Sequence, residues 1–343
     1  MGSGPCPAPV YSHRSSNSIR IYTMSIACFG SLAFDRLMSY PGRFSDHLIA
    51  DKLDQVSLSL LVDKVKRVYG GTAGNIGYNL QLLGEKPYII GSLGDDPDGQ
   101  DYADRIKGWG LPLDGVKLHS GQMTAGCVIA SDENNSQFTF FHPGAMNLPS
   151  GFDLGTLAPG QDHLVIISPA GADEMRSLAA DCRRLGLKFI FDPGQQIPAL
   201  GKEGLLEALE EAHMLICNEY ELNMFQQSTE LSLDEIFSRT EVIVMTKGAA
   251  GSDLLVHGRG SQHIMAVPVR VLGSDPTGAG DAFRAGLLKG LAMGEHLITA
   301  CRLGATVAAF RVEGESTQSH TFTLMEVMGR HASAFNEQVN LIK

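Results

Sequence analysis

The segment VLGSDPTGAGDAFRAGLLKGLAMG, residues 271–294, is the most informative part of the sequence, because a turn of small residues passes directly into a helical pattern. The run Gly278, Ala279 and Gly280 predicts a tight turn whose backbone a ligand can approach closely. The first N–H groups of the helix point toward the same place, so the turn suits an anion. Asp281 stands in the first helical turn, either as a proton acceptor beside that anion or as a plain stabiliser of the helix start.

Short apolar runs alternate with helical patterns on the N-terminal side of this segment. SIACFG, PYIIGSLG, HLVIIS, KFIFD, HMLIC and EVIVMTKG each predict a buried strand, and patterns such as ADEMRSLAADCRRLG predict the helices between them. Strands that are separated by helices pair in parallel, with helices covering both faces of the sheet. The sequence therefore predicts an α/β fold with a mostly parallel central sheet.

Two stretches interrupt the alternation, at about 39–69 and about 115–142, where strand-like spacing occurs without helices. Within the second, TAGCVIASDENNSQFTFFHPG predicts two strands joined by a polar turn. We expect one main domain, residues 24–343, from which these stretches project as a small antiparallel β-lid. Residues 1–23 are rich in Gly, Pro and Ser, and we expect a disordered leader or upstream start there rather than a targeting signal.

Charge and cysteine usage exclude several classes of protein. The net charge of -11 argues against a nucleic-acid partner, because such binding depends on clustered Lys and Arg. The six cysteines lie far apart without a CxxC pair, which predicts reduced thiols and a cytoplasmic protein. No apolar run approaches the roughly 20 residues that a bilayer requires, so no membrane association is expected.

A second glycine-rich segment, YGGTAGNIGYNLQLLG at residues 69–84, also enters a helix directly. Gly70 and Gly71 permit close approach of a ligand, and the Asn75 amide offers a donor and an acceptor, which suits a molecule rich in hydroxyls. A helix cap with a glycine-rich entry is the alternative. Because neither glycine-rich segment matches GxxxxGK[ST] or GxGxxG, the usual P-loop and dinucleotide motifs lose support.

Together these segments resemble the paired signatures of the ribokinase (PfkB) family of carbohydrate and nucleoside kinases. GGTAGN with GSLGDDPDG resembles the N-terminal signature, and DPTGAGDAF resembles the C-terminal one. NEYE at 218–221 and TKGAAG at 246–251 resemble two further family elements, in the expected order. The resemblance runs from Met24 to the C-terminus and implies a ribokinase-like three-layer α/β/α sandwich with a β-lid that closes over the acceptor.

The resemblance also implies roles for the phosphate-handling residues of an ATP-dependent phosphotransferase with an alcohol acceptor. Asp281 would be the general base, and the Gly278, Ala279 and Gly280 amides would form the anion hole. ATP, Mg²⁺ and K⁺ are the implied ligands of the remaining residues. Asn218 and Glu221 would organise Mg²⁺ and the phosphates through water, Thr246, Gly248 and Gly251 would line the nucleotide, and Asp275 and Thr277 would border a monovalent cation.

For the acceptor, Asp35 would bind two vicinal ribose hydroxyls beside Gly71 and Asn75. PGRFSDHL, VSLSLLVD, FFHPGAM and FDPGQQI are similar to the bacterial adenosine kinases of the family, which implies adenosine and a role in purine salvage. One departure is Cys127, where the mycobacterial relatives carry a second lid phenylalanine. In this group Phe141 would stack on the base, and Gln195 or Gln196 would bond its edge, with Ser31 and Ser59 nearby.

Several alternatives stay open at this point. A bare sugar such as ribose or fructose is the rival acceptor, a nucleoside kinase of broad specificity is another, and a catalytically silent nucleotide-binding regulator is more remote. A Rossmann oxidoreductase is weaker still. Arg284, in DAFRAG, either approaches phosphate or lies on the helix surface. Relatives with such a lid often pair their lids, so a homodimer is expected by resemblance.

Overall fold

The structure is a computed structural model that describes residues 24–47, 57–134, 136–157, 162–270, 276–337 and 339, so the predicted leader and Asp275 lie outside it. Within these ranges the strands are β1 Ser25–Phe29, β2 Ala33–Ser39, β3 Lys64–Gly70, β4 Tyr88–Gly94, β5 Val116–His119, β6 Ala125–Ser131, β7 Gln137–His142, β8 His163–Ile167, β9 Lys188–Phe191, β10 Ala212–Asn218, β11 Thr240–Thr246, β12 Ser252–Val256 and β13 Gly260–Ile264. The helices are α1 Thr72–Leu82, α2 Pro97–Gly108, α3 Ala172–Leu185, α4 Ile197–Leu209, α5 Glu219–Thr229, α6 Leu233–Phe237, α7 Ala279–Ala292, α8 Leu297–Val312 and α9 Leu324–Phe335. None of these described helices has the length and apolar character needed to cross a membrane.

The large sheet has the strand order β13-β12-β11-β10-β9-β8-β1-β4-β5. Neighbours from β11 to β5 pair in parallel, and β12 and β13 add an antiparallel edge, which confirms the predicted mostly parallel sheet. The chain runs from β1 to β4 and β5 on one side, then returns to β8 on the other side of β1. In open α/β sheets ligands bind beside the carboxyl ends of the strands at such a reversal of strand order.

Alternate residues of the central strands pack against different helices. In β8, Val165 and Ile167 share a core with residues of α3, α4 and α5, whereas Leu164 and Ile166 share a core with residues of α7 and α8. Because helices cover both faces, these strands are continuous apolar runs rather than alternating ones. The arrangement is the predicted three-layer α/β/α sandwich.

A second sheet, here called the lid sheet, has the order β3-β2-β6-β7. β2 pairs with β3 and β6 pairs with β7 in antiparallel fashion, and the middle pair, β2 and β6, is parallel. The two strands predicted on either side of the polar DENNS turn are confirmed as β6 and β7.

The lid strands differ from their predicted extent in two places. The first strand starts before residue 39, at Ala33, because the chain passes from β1 into β2 within a few residues. Val116–His119, placed in the lid by its spacing, instead pairs in parallel with β4 at the edge of the large sheet. α2 lies between β4 and β5, so these strands form a β–α–β unit. The prediction was wrong here because the alternation within four residues does not show which strand lies beside them. Residues 48–56 of the predicted lid lie outside the described chain.

α7 and α8 pack against each other with almost no side chain between them. A Cβ atom added to Gly286 would lie 2.7 Å from the Gly304 Cα atom, and one added to Gly304 would lie 2.7 Å from the Phe283 carbonyl oxygen. Real Cβ contacts are not this short, so both positions require glycine unless the helices move apart. α7, which begins at the glycine-rich turn of residues 278–280, is thus fixed against α8 by direct backbone contact.

Candidate active site

Two helix N-termini meet at the reversal of strand order. α1 begins after Gly71 and α7 begins after Gly278, and both glycines have positive φ angles, of 85° and 77°. This left-handed conformation favours glycine. A Cβ atom on Gly71 would also lie 2.4 Å from the Ser31 carbonyl oxygen, so the turn into α1 is closed to other residues. The first turns of the two helices bring Asn75 and Asp281 together.

The Asp281 carboxylate is half-buried and is held by the Asn75 amide, whose Nδ2 atom donates to Oδ2 at 2.8 Å. Burial raises the pKa of Asp281 to about 6, although the Arg284 charge and the Asn75 hydrogen bond oppose this rise. A carboxylate with this pKa is ionised near neutral pH and is basic enough to accept a proton from an alcohol as that alcohol attacks. The geometry therefore suits the general-base role predicted for Asp281.

The glycine-rich turn at residues 278–280 is present as predicted, but its amides are not equivalent. The Ala279 N–H group donates to the Pro276 carbonyl oxygen at 3.0 Å, so this amide is engaged within the turn and reaches an anion only if that bond opens. Gly278 caps the helix and Gly280 lies in its first turn. The N-terminus of a 14-residue helix presents its partial positive charge at this point.

Arg284 is buried, so the alternative that places it on the helix surface is wrong. It is 7 % exposed, and its Nε and Nη2 atoms donate to the two carboxylate oxygens of Asp192 at 2.5 and 2.7 Å. Burial lowers the pKa of Arg284, but the Asp192 carboxylate outweighs this and holds it above its ordinary value. The guanidinium Nη1 atom lies 2.9 Å from where a Cβ atom of Gly280 would stand, so this charge lies directly against the turn.

Asn218 and Glu221 lie at the carboxyl end of β10, where they form a capping box at the start of α5. The Asn218 Oδ1 atom accepts from the Glu221 N–H group, and the Glu221 Oε2 atom accepts from the Asn218 N–H group, each at 2.8 Å. Burial, and then the charge of Asp192, raise the pKa of Glu221. Two of the three side-chain oxygen atoms of this predicted magnesium site thus accept hydrogen bonds within the helix cap.

The described residues fit Mg²⁺ only in an indirect mode. Within those ranges, no group of three or more acidic, His or Cys side chains is arranged to hold a metal by itself. The second carboxylate oxygen of Glu221 stays available, and Mg²⁺ in phosphate sites commonly takes one or two carboxylates, water and phosphate oxygens. Of the predicted monovalent-cation residues, Thr277 lies in the turn before α7, and Asp275 lies outside the described residues.

A cavity of about 490 Å³ opens beside the glycine-rich turn at residues 278–280. Its walls bring together the residues predicted to line the nucleotide, Thr246, Gly248 and Gly251, with Ala279 and Gly280 of the turn. Most other lining residues are small and apolar, as a flat aromatic base requires. These apolar lining residues include Val267, Phe283, Ala305, Ala309 and Val312.

On the lid sheet, strand register places Asp35, Cys127 and Phe141 in one row. Asp35 pairs with Cys127 across β2 and β6, and Cys127 pairs with Phe141 across β6 and β7, so all three side chains project from the same face. Phe140, one residue earlier, projects from the opposite face. Burial raises the pKa of Asp35 to about 6. Its Oδ2 atom lies 2.8 Å from where a Cβ atom of Gly70 would stand, so the row begins beside the entry to α1.

The other predicted acceptor residues lie in varied positions. Ser31 is buried under the start of α1, where its Oγ atom accepts from the Thr72 N–H group at 3.0 Å. Ser59 is exposed in the segment that leads into β3. Gln195 is exposed and Gln196 is half-buried, in a short turn after β9. The structure thus commits Ser31 to the scaffold and leaves the glutamines accessible at a strand end.

Two further residues of the site were not found from the sequence. Asp192 follows β9, and its position at the end of an apolar strand was the available signal. Gln318 lies in the segment after α8, and its Nε2 atom donates to the Asn75 Oδ1 atom at 3.0 Å. No local pattern distinguishes Gln318 from an ordinary loop residue.

Comparison with known proteins agrees with this geometry. The family model described as "pfkB family carbohydrate kinase" matches residues 25–323. The nucleoside kinase of Methanocaldococcus jannaschii is 26% identical over 306 residues, which cover 89% of this chain and 96% of that protein. The fructokinase of Klebsiella pneumoniae is 31% identical over 239 residues, which cover 65% of this chain and 76% of that protein.

Among solved structures, the nucleoside kinase of Burkholderia thailandensis in complex with inosine has a TM-score of 0.81 and 35% sequence identity, and the match covers 92% of this chain and 99% of that chain. The resemblance inferred from the paired glycine-rich segments is confirmed. The chain belongs to the pfkB family of carbohydrate kinases, and it is a phosphotransferase that acts on a hydroxyl group.

Proposed function

We propose that this protein is an ATP-dependent nucleoside kinase that phosphorylates the 5′-hydroxyl of a purine nucleoside, with adenosine as the preferred acceptor and purine salvage as its role. The observation that carries the proposal is the row of Asp35, Cys127 and Phe141 on one face of the lid sheet. It offers a carboxylate for the ribose hydroxyls and an aromatic ring for the base. The relative of similar fold from Burkholderia thailandensis is described in complex with inosine and, in a second structure, in complex with ADP-inosine.

In the proposed mechanism, the acceptor hydroxyl attacks the γ-phosphorus in line with the leaving ADP, while Asp281 accepts its proton. The first-turn amides of α7 and the positive end of that helix stabilise the charge on the transferred group. The cavity beside the turn holds the rest of ATP. Glu221 and Asn218 would hold Mg²⁺ through water, and the ion would neutralise part of the phosphate charge. Because the chemistry needs little covalent help, correct positioning carries most of the catalysis.

Initial rates with adenosine, inosine, guanosine and ribose test the acceptor directly. We expect the nucleosides to be phosphorylated faster than ribose, because ribose leaves Phe141 without a partner. The fructokinase relative supports a sugar kinase as the second candidate, so fructose belongs in the same comparison. Equal or faster transfer to a free sugar would contradict the nucleoside proposal, and no ADP release with any acceptor would indicate a silent regulator.

Phe141→Ala is expected to raise KM for the nucleoside about 5- to 150-fold, since stacking is worth about 1–3 kcal/mol per base. Phe140→Ala removes the neighbouring ring from the opposite face of the same strand, and it should leave KM within about twofold. KM for ATP serves as an internal reference in both variants. Equal effects of the two substitutions would show that Phe141 belongs to the lid core and not to the base site.

The reaction is expected to slow at acidic pH, because a protonated Asp281 cannot accept a proton. With its pKa near 6, kcat/KM should be level above about pH 7 and fall as pH decreases through about 6. Asp35, whose pKa is also about 6, should steepen this fall. Initial rates from about pH 5 to 9 measure the profile. The slope should decrease in Asp35→Asn, and a level profile down to pH 5 would contradict both assignments.

Quaternary structure and location complete the proposal. We propose a homodimer that forms through the lid, since Leu61 is 87% exposed and Val65, in β3, is 61% exposed. Light scattering at micromolar concentration measures the assembly state. The five cysteines in the described ranges are free and buried, which supports a reducing compartment, and we propose the cytoplasm. Dependence on K⁺ stays a prediction, which the ratio of rates in K⁺ and Na⁺ would measure.

A further inference from the structure

A chain of hydrogen bonds runs from Arg105 on α2 to Asp281. The Arg105 Nε atom donates to the Gln318 Oε1 atom at 3.1 Å, and the Gln318 Nε2 atom donates to the Asn75 Oδ1 atom at 3.0 Å. The Asn75 Nδ2 atom then donates to the Asp281 Oδ2 atom at 2.8 Å. Gln318 is 5% exposed and Asn75 is 4% exposed, so water does not substitute readily for these contacts.

The two ends of this chain determine the orientation of both amides between them. Arginine can only donate, so the oxygen of Gln318 must face Arg105 and its nitrogen must face Asn75. An ionised carboxylate can only accept, so the nitrogen of Asn75 must face Asp281. The two orientations, fixed from opposite ends of the chain, place an N–H donor of Gln318 against the oxygen of Asn75.

We propose that Gln318 is a positioning residue for the phosphoryl transfer: it fixes the Asn75 amide so that Asn75 binds one oxygen of Asp281 and leaves the other oxygen for the acceptor hydroxyl. This inference rests on the proposed function and deepens it. The family resemblance gives the Asn75 side chain a role in binding the sugar. That side chain thus also holds Asp281, the proposed general base, in place.

Gln318 also connects Asp281 to the end of β3, the lid strand that leads into α1. The second hydrogen of Gln318 Nε2 is donated to the Tyr102 Oη atom at 2.8 Å, and Tyr102 donates to the Gly70 carbonyl oxygen at 2.7 Å. Gly70 is the last residue of β3. The glutamine therefore uses both of its N–H groups, one toward the catalytic carboxylate and one toward the strand that leads from the lid.

The charges around Asp281 make the acidic limb of the rate profile a sensitive measure of this arrangement. Burial raises its pKa most, and Asp192 after β9 adds to this rise, whereas Arg284 on the same helix, the Asn75 hydrogen bond and Arg311 on α8 lower the pKa. A neutral substitution at position 318 leaves these groups unchanged, so a shift of the limb in such a variant would report on the amide chain.

Gln318→Glu removes the N–H donor, and Arg105 keeps the new carboxylate ionised. Asn75 then faces an acceptor on both sides, so its oxygen must lie against the carboxylate of either residue 318 or Asp281, where two acceptor atoms repel. We expect kcat to fall about 10-fold or more. We also expect the acidic limb to move up by about one pH unit, the size of one lost hydrogen bond to a carboxylate.

Gln318→Met removes the donor without adding a charge, and it keeps a similar volume. The Asn75 amide then loses its fixed orientation, and we expect kcat to fall about three- to tenfold, with KM for ATP unchanged. Gln81→Glu, in the last turn of α1, is the matched charge control and should leave both kcat and the limb unchanged. Thermal melting shows whether each variant folds, and if Gln318→Glu does not fold, Gln318→Met alone decides.

Each result has a definite meaning. Wild-type kcat and an unshifted limb in Gln318→Met would overturn the inference even if Gln318→Glu is impaired, because the effect would then come from added charge. A loss of kcat without any change in the limb of either variant would indicate a merely structural role and would also overturn it. If the wild type transfers no phosphate to any acceptor, the proposed function falls and this inference falls with it, whereas an active wild type with unaffected variants removes the inference alone.

Discussion

Asp281→Asn is expected to lower kcat by at least about 100-fold, the scale of losing a general base. Asparagine has nearly the same shape as aspartate but cannot accept the proton of the attacking hydroxyl. The nucleotide cavity and the turn at residues 278–280 stay intact, so ADP and ATP should bind with nearly unchanged affinity. Steady-state kinetics together with calorimetric titration of ADP separates these two quantities.

A matched control is available on another helix. Asp173 also lies in the first turn of a helix, α3, but its side chain is fully exposed, and Asp173→Asn should leave kcat unchanged. Near-normal turnover in Asp281→Asn would refute the assignment of the base. Loss of nucleotide binding in that variant would instead show that the carboxylate supports the turn.

Arg284→Met is expected to lower the free energy of unfolding by about 3–5 kcal/mol, because it leaves the Asp192 carboxylate buried without its partner. The pair is bidentate, and both side chains are almost inaccessible to water. Urea-induced unfolding followed by tryptophan fluorescence or circular dichroism measures the change. Activity should fall as well, since the guanidinium supports the turn and lowers the pKa of Asp281.

The exposed pair of Arg176 and Glu207 is the control, because its side chains are 41% and 53% exposed. Arg176→Met should cost less than about 1 kcal/mol. Adding Asp192→Leu to Arg284→Met should recover part of the lost stability, since no unpaired charge then stays buried. If Arg284→Met is as mild as the surface control, the buried pair contributes little and water must reach it.

The sequence identified the parts of this molecule whose signals are local. Apolar runs predicted the parallel strands, because both faces of the large sheet are covered and every residue of a strand can be apolar. The turn before α7 and the turn before α1 were recognised because glycine is required where φ is positive, at Gly71 and Gly278. The capping box at Asn218 and Glu221 was also visible as a spacing of three residues, although it was interpreted only as a ligand site.

The features that were missed depend on contacts between distant parts of the chain. Asp192 and Arg284 are 92 residues apart in sequence, and Gln318 is 243 residues from Asn75. An arginine in a helical pattern has the same spacing whether it lies on the surface or in a buried ion pair. The prediction placed β5 in the lid because four residues show the alternation of a strand without showing which strand lies beside them.

The glycine contact between α7 and α8 has a practical consequence for recombining this chain with its relatives. Gly286 and Gly304 set the separation of the two helices, and Asp281 lies between one and two turns before Gly286 on the same helix. A chimera that takes α7 from one parent and α8 from another inherits two halves of a fitted surface that did not evolve together. Crossover points should therefore fall before residue 276 and after residue 312, so that both helices are exchanged as one cassette.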